Sequence, residues 1–151
     1  SLDGIPPEST GEQQVSREGG GMRRAIWRLT VRGEFSAAHA LRHYQGQCEN
    51  MHRHNYAAGM TVEGETLTSD TALVMEFSEL KGLPLAELAK LDHTDLNATP
   101  PFDRLNPSSE NLARHLWQRL APQLHGLPVR LIGVTVSEKS AQSATYCEIP
   151  D

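Results

Sequence analysis

Cysteine is scarce in this chain of 151 residues: there are two, Cys48 and Cys147. That is too few for a disulfide framework, and it suits thiols kept reduced in a cytoplasmic setting. No run of eighteen or more apolar residues occurs, so no segment reads as a membrane-spanning helix. The opening residues show no basic-then-apolar leader pattern. Basic excess is also lacking, since the formal net charge is −5. A general nucleic-acid binder would show a basic face. A local basic pocket for a phosphorylated small molecule stays compatible with that balance. What is present, 38% apolar and 22% charged residues, fits one globular domain with a real core.

Residues 1–21 carry Pro, Ser, Glu and three consecutive glycines, with few large apolar side chains. Such a composition buries too little surface to offset its ordering entropy. We expect a flexible N-terminal extension there, followed by a single domain over 22–151, with Met22 a candidate natural start. Trp27, Leu29 and Val31 alternate with Arg28, Thr30 and Arg32, the pattern of a half-buried strand. Tyr56, Ala58, Met60 and Val62 repeat it. "FSELKGLPLAELAKL" reads as a helix weakened early by Gly82 and Pro84. "NPSSENLARHLWQRL" reads as a stronger one. Asn106 is its expected cap, Pro107 suits the first turn, and Leu112, Leu116, Trp117 and Leu120 form its stripe. Ile132, Val134 and Val136 mark a third strand, and "SATYCEI" a short fourth. The order ββααββ predicts an α+β fold, an antiparallel sheet with two helices on one face.

"CENMHRHNY" holds the most chemistry. His52 and His54 are two apart at the start of a strand, so period-two geometry sends both imidazoles to one face. Zinc takes about four ligands, three of them from protein in most catalytic sites. His39, in "FSAAHAL", is the third ligand that strand parity favours. Cys48, four residues before His52, is either a fourth ligand closing a structural site or a free base beside an open one. Spacing does not separate these. His43, His115 and His125 read as ordinary histidines, with His115 solvated. In "LDHTDLN", Asp92 adjoins His93, and a carboxylate can fix an imidazole's tautomer for proton transfer. Asp95 and Asn97 read as turn caps.

Six segments in order, "FSAAHAL", "CENMHRHNY", "VMEFSELK", "LDHTDLN", "PSSENLA" and "VTVSEKSAQSATY", resemble the 6-pyruvoyl-tetrahydropterin synthase and 6-carboxytetrahydropterin synthase family. The resemblance implies the tunnelling fold and a homohexamer of two stacked trimers. It implies His39, His52 and His54 as zinc ligands, Cys48 as catalytic base, and Asp92 and His93 as a proton relay. Glu138 would anchor the pterin ring. The implied substrate is 7,8-dihydroneopterin triphosphate, with no nucleic-acid or membrane partner. The compact "CENMHRHN" favours the carboxy branch, which leads toward queuosine; the pyruvoyl branch would use the same residues. A pterin-binding relative without catalysis and a zinc-stabilised structural module are the competing readings. Two departures stand out. Arg53 replaces the family's glycine between the histidines, and Glu76 replaces an aspartate. Period two turns Arg53 away from the ligands. Arg42, His43 and Lys139 are candidate triphosphate contacts.

Overall fold

The computed structural model describes residues 15–18, 21–46 and 50–151. Strand β1 (Val15–Glu18) pairs antiparallel with β2 (Gly21–Arg24), so a small hairpin spans the expected boundary between the extension and the domain. The main sheet is built from β3 (Trp27–His39), β4 (His52–Gly64), β5 (Thr94–Asp95), β6 (Arg130–Lys139) and β7 (Gln142–Tyr146). Its spatial order is β5-β3-β4-β6-β7. The four long strands pair antiparallel, as the element order predicts. The two-residue β5 adds a parallel edge beside β3, which makes the sheet mixed. A two-residue strand leaves no periodicity to read.

Burial follows the predicted parity. Leu29, Val31, Phe35 and Ala37 of β3 are buried, as are Tyr56, Ala58, Met60 and Val62 of β4. Their neighbours Arg28, Thr30, Arg32, Arg53 and Asn55 are exposed. The buried face is covered by α1 (Phe77–Leu91) and α2 (Ser109–Leu120), α1 packing on β3 and α2 on β6 and β7. Pro84 lies inside α1 and is buried, so the helix forgoes one hydrogen bond there to pack a ring into the core. In α2, Leu112, Leu116, Trp117 and Leu120 are the buried stripe, each leucine contributing roughly 1.5–3 kcal/mol by leaving water. The two helices also share a buried carboxylate. Glu87 accepts hydrogen bonds from Lys90, Arg119 and Gln123.

The α2 cap differs from expectation. Ser108, not Asn106, caps the helix, its hydroxyl accepting from the Asn111 N–H at 3.2 Å. Asn106 reaches back across the sequence to Arg42 instead. His115 is half-buried rather than solvated, its ring 5.2 Å from Phe102, and burial holds its pKa below the ordinary histidine value.

The end of β4 is closely packed. A Cβ on Gly64 would lie 2.5 Å from Val74 Cγ1 and 3.0 Å from the Pro128 carbonyl oxygen. Backbone cannot yield as a side-chain tip can. Gly64→Ala should therefore lower the unfolding free energy by about 1–3 kcal/mol in a denaturant titration. Gly133→Ala, whose new methyl would meet Thr145 Cγ2 at an ordinary 3.4 Å, should change it by less than about 1 kcal/mol. Equal losses would contradict this packing.

Candidate functional site

The β3–β4 ladder places His39 directly opposite His52, and Ala37 opposite His54. All three histidines share the parity of the buried face, so their rings converge where the two strands end. Ring centroids lie 4.4 Å apart for His39–His52, 4.6 Å for His52–His54 and 5.1 Å for His39–His54. One ligand atom from each falls within 4.8 Å of the others. This is the scale on which one ion touches all three, and imidazole nitrogens are sound donors for zinc and related ions. The residues fit a metal ion. His39 is only 2% exposed, so its donor lies at the floor, whereas His52 and His54 are half-buried.

The tautomer of His52 follows from its partner. Nδ1 lies 2.9 Å from the Asn50 carbonyl oxygen, which can only accept. Nδ1 therefore carries the proton and Nε2 keeps the lone pair for a metal, the usual outer-sphere arrangement for a ligating histidine. Behind the rings, Phe35 and Tyr56 face each other across the ladder and stack at 4.7 Å and 7°. Tyr56 also meets His39 edge-on at 5.5 Å. Aromatic bulk thus backs the histidine cluster.

Asp92 and His93 do form a pair. His93 Nδ1 donates to Asp92 Oδ2 at 2.9 Å. The other carboxylate oxygen accepts the Ser36 N–H at 2.8 Å, and the His93 N–H donates to the Ser36 carbonyl at 2.6 Å. Ser36 stands three residues before His39 in β3. The pair is therefore tied to the strand that carries a histidine of the cluster. His93 has a φ of 59°, a left-handed conformation uncommon outside glycine. Its imidazole is exposed, in reach of a bound molecule. The Ser36 N–H bond, with lesser help from His93, holds the Asp92 carboxyl below its usual range.

Glu138, near the end of β6, has a carboxylate oxygen 3.9 Å from His54 Nε2. This exceeds a hydrogen bond, yet it sets an acid at the rim of the histidine cluster. Glu138 lines one cavity with Asn55, Ser137 and Lys139, and another with Ser109 and Gln142. Arg53 is exposed and stands opposite Ala38, on the face away from the histidines. Cys48 lies outside the described residues. Cys147 is exposed and free. The Arg42 guanidinium donates to the carbonyls of Leu105, Asn97 and Phe102. Sequence reasoning missed the Asn50 carbonyl and the Ser36 backbone, because backbone partners leave no residue signature.

A family model for 6-pyruvoyl tetrahydropterin synthase matches residues 28–148. The chain belongs to this family. A Synechocystis protein named 6-carboxy-5,6,7,8-tetrahydropterin synthase is 34% identical over 69% of this chain and 85% of its own length. The human 6-pyruvoyl tetrahydrobiopterin synthase is 34% identical over 70% of this chain and 81% of its own length. The Caenorhabditis elegans 6-pyruvoyl tetrahydropterin synthase structure superposes with a TM-score of 0.71 at 25% identity, over 83% of this chain and 97% of that one. The tetrahydropterin synthase fold is thus shared over 83% of the chain. Names from both branches occur among its relatives. No helix among the described residues is long and apolar enough to cross a membrane.

Two outcomes are expected at this site. Replacing His39 with alanine should weaken zinc binding by more than the roughly 10–100-fold typical of losing an outer-sphere partner, measured by competition with a chromophoric chelator. Unchanged affinity would exclude His39 as a ligand. The second concerns acid. Because the folded-state pKa of Asp92 is depressed, its contribution to stability is present above its unfolded value and is lost as pH falls through the lower folded value. The denaturation midpoint of Asp92→Asn should therefore fall less steeply than wild type below about pH 4.

Proposed function

We propose that this chain is a zinc-dependent lyase. It converts 7,8-dihydroneopterin triphosphate to 6-carboxy-5,6,7,8-tetrahydropterin with loss of triphosphate and acetaldehyde, on the route to queuosine and other deazapurines. The observation that carries the reading is the three-imidazole cluster across β3 and β4, with β3 also bonded to the Asp92–His93 pair, in a chain with a carboxytetrahydropterin synthase relative. Held by His39, His52 and His54, zinc would supply Lewis acidity to the substrate's side-chain oxygens.

The chain's own residues would do the rest. Glu138 would accept two N–H bonds from the guanidine-like edge of the pterin, a charge-assisted contact that fixes the ring. Cys48 would act as the base that takes a proton from the activated side chain. His93 would carry a second proton, its Nδ1–H held by Asp92, which leaves Nε2 to exchange it. Triphosphate leaves by elimination, and addition of one water then cleaves the remaining side chain into acetaldehyde and the ring-bound carboxylate. Lys139, exposed beside Glu138, stays a candidate for the phosphate end. We read the working form as a cytoplasmic homohexamer of two trimers.

The pyruvoyl branch is the second reading, supported by the human relative and the nematode structure. The same metal and bases serve it, ending in tautomerisation instead of cleavage.

Zinc-loaded protein incubated with dihydroneopterin triphosphate should yield a carboxypterin and acetaldehyde by mass spectrometry. A pyruvoyl product would move the assignment to the sister branch. No turnover, with zinc and pterin both bound, would sink the enzyme reading. Cys48→Ala should abolish turnover and spare zinc; loss of zinc would make Cys48 a ligand. His93→Gln should lower kcat about 10²–10⁴-fold, the usual worth of a general acid or base.

A further inference from the structure

Past Asp95 the backbone of the α1–α2 connection turns away from β3. A short 3₁₀ turn, Leu96–Ala98, begins there, with Asp95 Oδ1 accepting the Asn97 N–H at 3.0 Å. The hydrogen bonding to the β3 chain nevertheless continues, carried by side-chain amides. Asn97 Oδ1 accepts the Ala40 N–H at 2.8 Å, and Asn97 Nδ2 donates to the Ala40 carbonyl at 2.9 Å. Two residues beyond Ala40, at Arg42, Asn106 does the same. Its Oδ1 accepts the Arg42 N–H at 2.8 Å and its Nδ2 donates to the Arg42 carbonyl at 2.8 Å. Each carboxamide offers one acceptor and one donor on one planar group, as a peptide unit in a ladder does. Aspartate offers no donor, and alanine offers neither group.

The result is one continuous strap. Ser36 is held by Asp92 and the His93 N–H, Ala37 and Ala38 register with Thr94 and Asp95, Ala40 is held by Asn97, and Arg42 by Asn106. Arg42 locks the strap from the other side, donating to carbonyls of Asn97, Phe102 and Leu105. His39 lies inside the strapped segment, while Asp92 and His93 are its first attachment. We propose that Asn97 and Asn106 are positioning residues: their amide clamps keep the Asp92–His93 pair in register with His39, so that the proton-carrying pair and the metal ligand share one rigid frame. This rests on the reading of Asp92–His93 as a proton relay. Neither asparagine touches the reacting atoms in that reading; each acts through the strand it clamps.

The test uses the full-length, zinc-loaded chain and its Asn97→Ala and Asn106→Ala variants. Amide hydrogen exchange is followed at Ser36 and His93, four or more residues from either clamp. Both amides should exchange about tenfold faster or more, because the strap opens as a unit. With dihydroneopterin triphosphate, kcat should fall about 10- to 100-fold, the cost of misplacing a catalytic group by roughly 1 Å. KM should stay within about threefold and zinc affinity unchanged, since the strand-paired histidines keep their places. Faster exchange confined to Ala40 or Arg42 would overturn the proposal. So would full kcat in a variant whose Ser36 and His93 amides have been released. Should one variant fail to fold, the other decides. If wild type turns over no pterin, the functional reading falls, and the exchange pattern alone decides whether the strap is one frame.

Discussion

Register between β3 and β4 is the constraint on which the candidate site depends. The two strands pair without a break from Trp27↔Gly64 to His39↔His52. A slip of one residue would turn His52 and His54 to the open face and push Arg53 toward the core. Several contacts resist that slip. The Phe35–Tyr56 stack is a directly opposed pair, the apolar residues of both strands lie on one buried face, and Glu63 sits buried between Arg28 and Arg130. The histidine cluster is thus an outcome of core packing. It stands at the end of a ladder whose position is set by hydrophobic burial farther along.

The other edge of β3 carries the Asp92–His93 pair. Asp92 and His93 follow α1 directly, and the chain bends through a left-handed residue so that both can bond Ser36. One strand therefore has two imidazoles beside it on β4 and a carboxylate–imidazole pair on the opposite side. Three imidazoles able to hold a metal ion and a carboxylate–imidazole pair thus lie within about one strand's width of β3, roughly 5 Å either way. Glu138 enters from the next strand over, which sets its carboxylate 3.9 Å from His54 Nε2 at the rim of the histidine cluster.

Much of this is legible in the residues themselves. HxH spacing in a strand fixes the relative direction of two side chains, and strand alternation carries that to His39. The long strands and α2 show the periods that burial imposes. The failures share one cause, that a side chain's partner can be far away in sequence. Asn106 looks like a helix cap but bonds Arg42, sixty-four positions earlier. The three loop carbonyls that accept from the Arg42 guanidinium lie fifty-five to sixty-three positions later. His115 lies off the helical stripe, and Phe102, from the preceding loop, covers it all the same. Asn97 reads as a turn residue because its second role, holding Ala40, is visible only once the loop lies beside β3. Arg53 is exposed and faces away from the histidines, as the two-residue period of the strand predicts.

The account stands or falls on who holds the metal. X-ray absorption at the zinc edge of the loaded, substrate-free protein addresses this directly. Three imidazole nitrogens and one oxygen, all near 2.0–2.1 Å and with no sulfur scatterer, are the expected shell. A sulfur at about 2.3 Å would contradict it, making Cys48 a ligand and the site a closed, structural one.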